Sequence, residues 1–440
     1  MKILSWLLPL LLTSVPAWAE PGPRPITLQE AVRLARQNAP AVVQARGQER
    51  SSDAAMRSAY AAFLPNLTLT AGANRQFVGG SRTRIDSNGQ TVTVPSEPWT
   101  YNAGYAANVL LFDGGRRFFD MRQAKARDVA AEVGIVNETY TATLNAKQQF
   151  FNVLAARESQ GAAAAQLQQA EQQRRTSVAL ARAREATRSD SLRAEIQMRN
   201  AQLAVLDAQN SLEVANAGLT RAVGVDEPVT AAPESEDTTV VIHAIGLAVA
   251  DADLAAMAEH GPLVQQSESL LKAARAANTA SWADYLPALN MSYSRSGSAA
   301  NKQFTVPDNL AYSGALRFSL SLPLFDRLQR EEQHVAADVA AENAGASLRD
   351  ARLAAREGLV RWLGAYRVAE ERVRAQAATV DAAVEDLRVQ QQRYAVGGST
   401  LLDVLTSQTQ LNQARRDLIQ ARYDQRVAKA QLEALIGKDL

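Results

Sequence analysis

The chain contains the same structural unit twice, and this internal duplication restricts its fold more than any other sequence feature. Three motifs recur at one constant spacing: Leu111-Phe112-Asp113 as Leu324-Phe325-Asp326, Asp190 as Asp403, and Gly224 as Gly437. Two upstream motifs share a second, slightly larger spacing: Asn38-Ala39-Pro40 recurs as His260-Gly261-Pro262, and Phe63-Leu64-Pro65 as Tyr285-Leu286-Pro287. The first copy therefore carries a longer loop between Pro65 and Phe112. A fixed repeat spacing predicts one supersecondary unit built twice.

Each copy predicts a helix, two strands, a very long helix, a turn and a second helix. In the first copy the opening helix starts at Thr27, where Thr27 and Glu30 form a capping-box pattern, and it runs to about Tyr60. A polar, proline-containing segment between the copies predicts an irregular connector. The predicted divisions are a signal peptide at 1–19, a first repeat at 20–223 with a β-hairpin at about 66–112, a connector at 224–252, and a second repeat at 253–440 with a β-hairpin at about 288–325.

The N-terminus predicts export from the cytoplasm. Lys2 precedes a short apolar segment, and Ala17-Trp18-Ala19 is a small-x-small cleavage pattern before Glu20. The sequence has no cysteine, which fits an exported protein and excludes a lipid anchor on a mature cysteine. Its 47 basic and 46 acidic residues nearly balance, whereas a nucleic-acid-binding protein usually has a basic excess.

Two segments alternate apolar and polar residues with a period of two, which predicts strands. The clearest runs are 99–111 and 310–322, with weaker partners after Pro65 and Pro287. About ten alternating residues are enough for a tilted transmembrane strand. An antiparallel sheet packed on a soluble core is the alternative, but the sequence offers no other globular core to cover such a sheet. Arg317 falls on the polar side of its strand and is expected to face the lumen of a channel.

Four strands in one chain predict an oligomer. In lipid every backbone amide and carbonyl must be paired, so a transmembrane sheet has to close on itself. Four strands cannot close around a lumen, because even eight leave only an interior filled by side chains. Several identical chains must therefore share one barrel.

The remaining sequence predicts helices far longer than those of globular domains. Residues 327–394 contain no proline and would span roughly 100 Å at 1.5 Å per residue. The returning helices carry heptads: Leu411, Leu418 and Leu432 in one copy, and Met198, Val205, Leu212 and Leu219 in the other. A seven-residue period predicts left-handed supercoiling. A two-stranded coiled coil and a tube of helix pairs both fit this pattern.

No catalytic constellation is present. The sequence lacks a P-loop and a nucleophile elbow, and its three histidines are far apart without metal-ligand spacing. We therefore expect no enzyme activity, no cofactor and no metal, with the energy for transport supplied by a partner. The hypothesis that competes with a membrane channel is a periplasmic coiled-coil adaptor or structural protein.

Taken in order, the motifs resemble the TolC-like outer-membrane efflux proteins over essentially the whole mature chain. The resemblance rests on the duplicated motifs above and on a C-terminal run: Arg393-Tyr394-x-x-Gly397, Leu402-Asp403-Val404-Leu405, Gln408, Leu411, Ala414, Ala421-Arg422-Tyr423 and Gly437. It implies a mainly α fold with a transmembrane β-barrel. Three protomers would together form a 12-stranded barrel in the outer membrane on an α-helical barrel in the periplasm.

The resemblance also implies partners and a gate. Such a homotrimer contacts outer-membrane lipid, a periplasmic adaptor and an inner-membrane transporter, and serves either small-molecule efflux or type I secretion. The matching gate positions are Asp190, Tyr394 and Asp403, with Gly397 and Gly398 at the turn that would contact the adaptor. Two positions depart from the pattern: Thr406 replaces a second acidic residue, and Ser399 replaces an arginine. Helix N-capping is an equally good interpretation of Asp403.

Overall fold

The computed structural model describes residues 22–77, 82–85, 87, 89–94, 99–183, 187–232, 251–301, 303–305 and 310–438. The predicted signal peptide, residues 1–19, lies outside them. The helices are α1 Leu28–Asn38, α2 Pro40–Ala61, α3 Arg116–Arg182, α4 Arg188–Val223, α5 Asp251–Glu259, α6 Pro262–Ser281, α7 Gln329–Ala395 and α8 Leu401–Ile436. The strands are β1 Arg24–Ile26, β2 Asn66–Arg75, β3 Arg82–Ile85, β4 Thr91–Val94, β5 Trp99–Phe112, β6 Val229–Ala231, β7 Ala288–Asn301 and β8 Ala311–Ser321.

The duplication is visible in the matching lengths of the helical hairpins. Helices α3 and α7 each have 67 residues, and α4 and α8 each have 36. The shorter helices end alike, because Gly224 and Gly437 are left-handed C-caps with φ of 67° and 68°. Only glycine adopts this conformation without steric cost, so the same residue stops both helices at the same place in the repeat.

The first predicted helix is in fact two helices. Ala39 separates α1 from α2 with a ψ of 130°, and Pro40 is the first residue of α2. The proline ring clashes with a helical conformation of the residue before it, which explains the break. Proline is well tolerated at the start of the next helix, where its missing N–H has no helical partner to lose.

Strands β2, β5, β7 and β8 form one antiparallel sheet in that order. Its register aligns Leu67, Ala107, Tyr293 and Leu316 across the sheet. The adjacent register aligns Thr68, Ala106, Ser294 and Ala315 on the other face. Since side chains alternate along each strand, one face is largely apolar and the opposite face is rich in serine, threonine and asparagine.

Most of the apolar face of this sheet is uncovered in the described part of the chain, although Tyr101 at one end is buried against Phe304. Leu67, Leu69, Leu316 and Leu320 are 72%, 81%, 58% and 70% exposed. An apolar surface of this extent in water would promote association, so its natural environment is lipid or another protein.

Two short pairings were not anticipated. Strand β1 pairs in parallel with β6, so part of the predicted irregular connector at 224–252 is an ordered strand. Helix α5 also begins within that range, at Asp251, while residues 233–250 lie outside the described part of the chain. In the longer loop of the first copy, β3 and β4 pair as an antiparallel hairpin.

The chain divides into two compact units. Of the described residues, the first unit takes those within Met1–Val43, Glu138–Asp251 and Leu359–Leu440, and the second takes those within Gln44–Asn137 and Ala252–Gly358. The first unit contains the main hydrophobic core, where Phe150, Leu219 and Val223 are fully buried. The second contains the four-stranded sheet. No helix in the described residues has the length and apolar character needed to span a membrane.

Candidate functional site

The two turns between a long and a short helix are held by the same device. Thr187 and Thr400 are the N-caps of α4 and α8, and each hydroxyl accepts a hydrogen bond from the backbone N–H three residues later, in Asp190 or Asp403. Each aspartate in turn accepts from the threonine backbone N–H, at 3.1 Å for Asp190 and 2.8 Å for Asp403. These reciprocal bonds are capping boxes, which satisfy N–H groups that the first helical turn leaves unpaired.

Asp403 is therefore not an N-cap but the third helical residue, with Thr400 as the cap. The carboxylate accepts from both the backbone N–H and the hydroxyl of Thr400. These hydrogen bonds favour its ionised form and hold the pKa of Asp403 below its ordinary value of 3.8. A role in capping and a role in the pore remain compatible, because capping occupies only part of the carboxylate.

The turn between α7 and α8 satisfies its own polar groups. Gly397 has a φ of 75°, and Arg393 donates a side-chain hydrogen bond to the Gly398 carbonyl at 3.2 Å. The Ser399 hydroxyl donates to the Gln390 carbonyl at 3.2 Å, and the Thr406 hydroxyl donates to the Leu402 carbonyl at 2.9 Å. Ser399 and Thr406, the two residues that depart from the family pattern, thus donate hydrogen bonds to backbone carbonyls of their own hairpin.

A cleft of about 1210 Å³ lies between the two turns and brings Asp190 and Tyr394 to a common surface. The cleft is also lined by Gly397 and Ser399, whereas Asp403 is not among its lining residues. Burial is the main cause that raises the pKa of Tyr394, and the negative charge of Asp190 raises it further. The Tyr394 phenol is therefore neutral at physiological pH and retains a proton that it can donate.

We expect the second capping box to weaken only under strongly acidic conditions. A carboxylate with a depressed folded-state pKa contributes stability that is present above its unfolded pKa and is lost as pH falls through the folded pKa. Hydrogen exchange at residues 401–406, corrected for intrinsic rate, should show unchanged protection from pH 7 to about pH 5. Protection should fall below pH 4. In Asp403→Ala the protection should be lower and should not change with pH, and an equal acid-induced loss in that variant would contradict the assignment.

Arg317 lies on the polar face of the sheet, opposite Ser292 of β7. Its side chain is exposed in the single chain, as are the side chains of the whole β8 strand. This position is compatible with the predicted lumen-facing role, which stays a prediction.

A duplicated chain with long helical hairpins and an uncovered, two-faced antiparallel sheet has the architecture that the resemblance to outer-membrane efflux proteins implies. A family model described as outer membrane efflux protein matches residues 31–225 and 255–438, once in each copy of the repeat. The chain belongs to the outer membrane efflux protein family, as its sequence motifs indicated. The family's description places the chain in the outer membrane and in efflux.

Solved structures agree with this fold. A membrane protein from Pseudomonas aeruginosa is 18% identical, with 93% of this chain and 90% of that chain covered and a TM-score of 0.79. The outer membrane protein VceC of Vibrio cholerae is 18% identical, with 93% and 96% covered and a TM-score of 0.74. The open-state MtrE outer membrane channel of Neisseria gonorrhoeae is 20% identical, with 94% and 89% covered and a TM-score of 0.75. No curated protein sequence matches this chain.

Proposed function

We propose that three copies of this chain close a 12-stranded barrel and form a passive duct through the outer membrane. The proposal rests on one observation: β2 and β8 are the edges of a four-stranded sheet and have no further strand beside them in the described chain. In a bilayer these edges would leave backbone amides and carbonyls unpaired, at a cost of several kcal/mol for each group. Pairing β2 of one copy with β8 of the next satisfies all of them. The number three rests on the family.

The duct would serve as the outer component of a tripartite assembly. A periplasmic adaptor would bind the helical tips around Gly397 and Gly398, and an inner-membrane transporter would supply the energy. Both small-molecule efflux and type I secretion fit this architecture, and family frequency favours efflux. A soluble coiled-coil adaptor is a poorer candidate, because the uncovered apolar face of the sheet has no use in such a protein.

Channel formation is tested by adding the purified chain to a planar lipid bilayer. We expect stepwise increases in ion conductance and a heat-labile oligomer on a gel. A chain that neither conducts ions nor assembles would contradict the proposed function.

Within the duct, Asp190, Tyr394 and Asp403 would form the periplasmic gate. The carboxylate of Asp190 and the neutral phenol of Tyr394 share the cleft between the two helix turns. Breaking their interaction would free the α7–α8 hairpin to move away from the α3–α4 hairpin. Asp403 would act differently: threefold symmetry would bring three copies of this carboxylate together, where their repulsion favours opening and bound cations offset it.

Replacing Asp403 with asparagine should weaken the block of the channel by divalent cations. The substitution removes the charge and keeps a side-chain oxygen that can accept the Thr400 hydrogen bonds, so the capping box is largely retained. Single-channel conductance with increasing Mg²⁺ on the periplasmic side should require at least several-fold more cation for half-block. Asp381→Asn, an exposed carboxylate elsewhere on α7, is the matched control and should behave like the wild type. Unchanged block in Asp403→Asn would remove this residue from the gate.

A further inference from the structure

A groove between α3 and α6 carries four positive side chains that the channel function does not use. Arg122 and Lys125 on α3 and Lys272 and Arg275 on α6 line this groove, which has a volume of about 480 Å³. We propose that it binds the phosphate headgroup of an anionic phospholipid from the periplasmic leaflet of the outer membrane. This inference rests on the proposed orientation of the sheet in the membrane.

The four cations are available for a ligand. All four are exposed, and within the described chain none of them lies within 4.0 Å of a carboxylate. The Arg122 guanidinium lies over the ring of Phe119, 5.7 Å from the ring centre. Four cations without counter-ions repel each other, and an anion bound among them would remove this repulsion.

Apart from the four cations, the lining of the groove is mostly apolar, with Ser269 and Thr279 as its polar members, and this favours a lipid over a small free anion. Phe119 and Ala126 of α3 and Ala276 of α6 are half-buried there, and Val129 is 39% exposed. A phospholipid presents a negative phosphate next to an aliphatic chain. The phosphate would contact the four cations, and the first part of the aliphatic chain would contact the apolar lining.

The four cations lie at a distance from the sheet at which a lipid headgroup would be expected. Helix α3 begins four residues after β5 ends, and α6 ends shortly before β7 begins. Arg122 and Arg275 are each six residues from the sheet end of their helix, or about 9 Å, and Lys125 and Lys272 are each nine residues away, or about 14 Å. Arginine and lysine side chains can extend several ångströms toward a membrane interface. The two arginines would contact the phosphate and the two lysines would follow below it.

Aromatic and apolar side chains mark the membrane boundary above the groove. Phe118 and Trp282 are 56% and 57% exposed, and both lie where a helix meets the sheet. Leu286 and Phe112, at the same junctions, are 47% and 46% exposed. Exposed aromatic residues concentrate at the level of the headgroups in membrane proteins, so the groove would start at that level.

Neighbouring copies of the chain do not need this groove for assembly. Helix α3 continues from β5 and α6 leads into β7, and these two strands are the central pair of the sheet. The edges that must meet another copy belong to β2 and β8, which connect to α2 and α7. The helices of the α3–α6 groove therefore join the middle strands of each chain's sheet, away from the edges that must pair with another copy.

The duplication supplies an internal comparison. In the other copy, the spacing of the Asp190 and Asp403 motifs makes Val335 and Asp338 the equivalents of Arg122 and Lys125. The larger spacing of the upstream motifs makes Arg50 and Asp53 the equivalents of Lys272 and Arg275. The same fold is thus built in the other copy without this positive cluster, so folding alone does not require it.

The test measures lipid retention by the intact trimer. Native mass spectrometry of the full assembly, exchanged into detergent with equal amounts of phosphatidylglycerol and phosphatidylcholine, counts the lipids of each class that remain bound. We expect the wild type to retain phosphatidylglycerol preferentially, up to three per trimer. Each cation near an anionic headgroup contributes a factor of about five in affinity, so Arg122→Gln with Arg275→Gln should weaken phosphatidylglycerol binding about 25-fold.

The control removes two other exposed arginines, Arg127→Gln with Arg349→Gln, and should leave lipid retention within twofold of wild type. Equal retention of both lipids, or unchanged retention in the groove variant, would overturn the proposal. Displacement of the lipid by millimolar glycerol phosphate would show a free-anion site and would also overturn it. Tighter binding of a polyglutamate peptide than of phosphatidylglycerol would instead show an acidic protein partner and would overturn it as well. Loss of the trimer from the same spectra would count against the proposed function, so the two failures are distinguishable.

Discussion

Leu316→Arg is expected to prevent membrane assembly. Leu316 lies in the middle of β8 on the apolar face, beside Tyr293 of β7, and has five strand residues on each side. An arginine on the lipid face near the bilayer centre costs about 2–4 kcal/mol. In a trimer this cost applies to each of three chains. The heat-labile oligomer should be lost or strongly reduced in outer-membrane extracts, and refolded protein in lipid vesicles should unfold at lower denaturant concentration.

Ala315→Arg is the control for the same depth. Ala315 pairs with Ser294 on the polar face, where an arginine already stands two residues away at Arg317. This variant should assemble and should change mainly the ion selectivity of the channel. Normal assembly of Leu316→Arg, or equal damage from both substitutions, would contradict the assignment of the apolar face to lipid.

Lys147→Met should destabilise the first unit by about 3–5 kcal/mol. Lys147 on α3 forms an ion pair with Glu433 on α8, and their side chains are only 17% and 8% exposed. Removing one partner of a buried pair leaves the other charge in a poorly solvated environment, and this residual charge causes most of the loss. Hydrogen exchange in α8 around Glu433 measures the local change, and denaturant unfolding measures the global one.

A double variant that also changes Glu433, the partner of Lys147, provides the control. Lys147→Met with Glu433→Gln removes both charges and should recover most of the lost stability, because a neutral amide is less costly to bury than a carboxylate that has lost its lysine partner. If the double variant is as unstable as the sum of the single ones, the two side chains do not interact and the pair has no structural role.

Local signals predicted the larger features of the fold. The period of two in 99–111 and 310–322 predicted two strands, and the register of the sheet shows why this was possible. The large apolar residues of these runs, with the exception of Leu110, occupy alternate positions that share one face, so alternation alone carried the information. The absence of proline likewise predicted helices near the observed 67 residues. The family, and with it the fold class and membrane location, followed from the order of the duplicated motifs.

Some missed features had a local signal. Pro40 indicated the break at Ala39, and Asn88-Gly89 between two alternating segments is a strong hairpin signal. Thr187 and Thr400 recur at the same spacing as Asp190 and Asp403, which identifies them as paired caps. The usual residue at the third helical position of a capping box is glutamate or glutamine. From sequence alone, Asp403 therefore resembles the N-cap residue of α8.

Other features depend on contacts between distant parts of the chain. Strand β1 pairs with β6, far away in sequence, and each has only three residues, too few for a periodic pattern. The basic groove combines cations of α3 and α6, which are widely separated in a chain of net charge +1. The Lys147–Glu433 pair has no counterpart in the repeat, because the equivalent positions are Val360 and Thr220. Only tertiary packing brings these residues together.

Disulfide trapping between β2 and β8 tests most directly whether identical copies complete the sheet. The chain has no cysteine, so any disulfide must come from introduced residues. Leu69→Cys in β2 would be combined in turn with Tyr312→Cys, Leu316→Cys or Leu320→Cys in β8, all on the same face. Facing residues of adjacent antiparallel strands have Cβ atoms about 4.5–5.5 Å apart, close enough for a disulfide after a small adjustment. We expect one combination to give a covalent trimer on a non-reducing gel, and a reductant to return it to monomer. Monomer alone from all three combinations, in protein extracted from membranes, would contradict a barrel shared between copies.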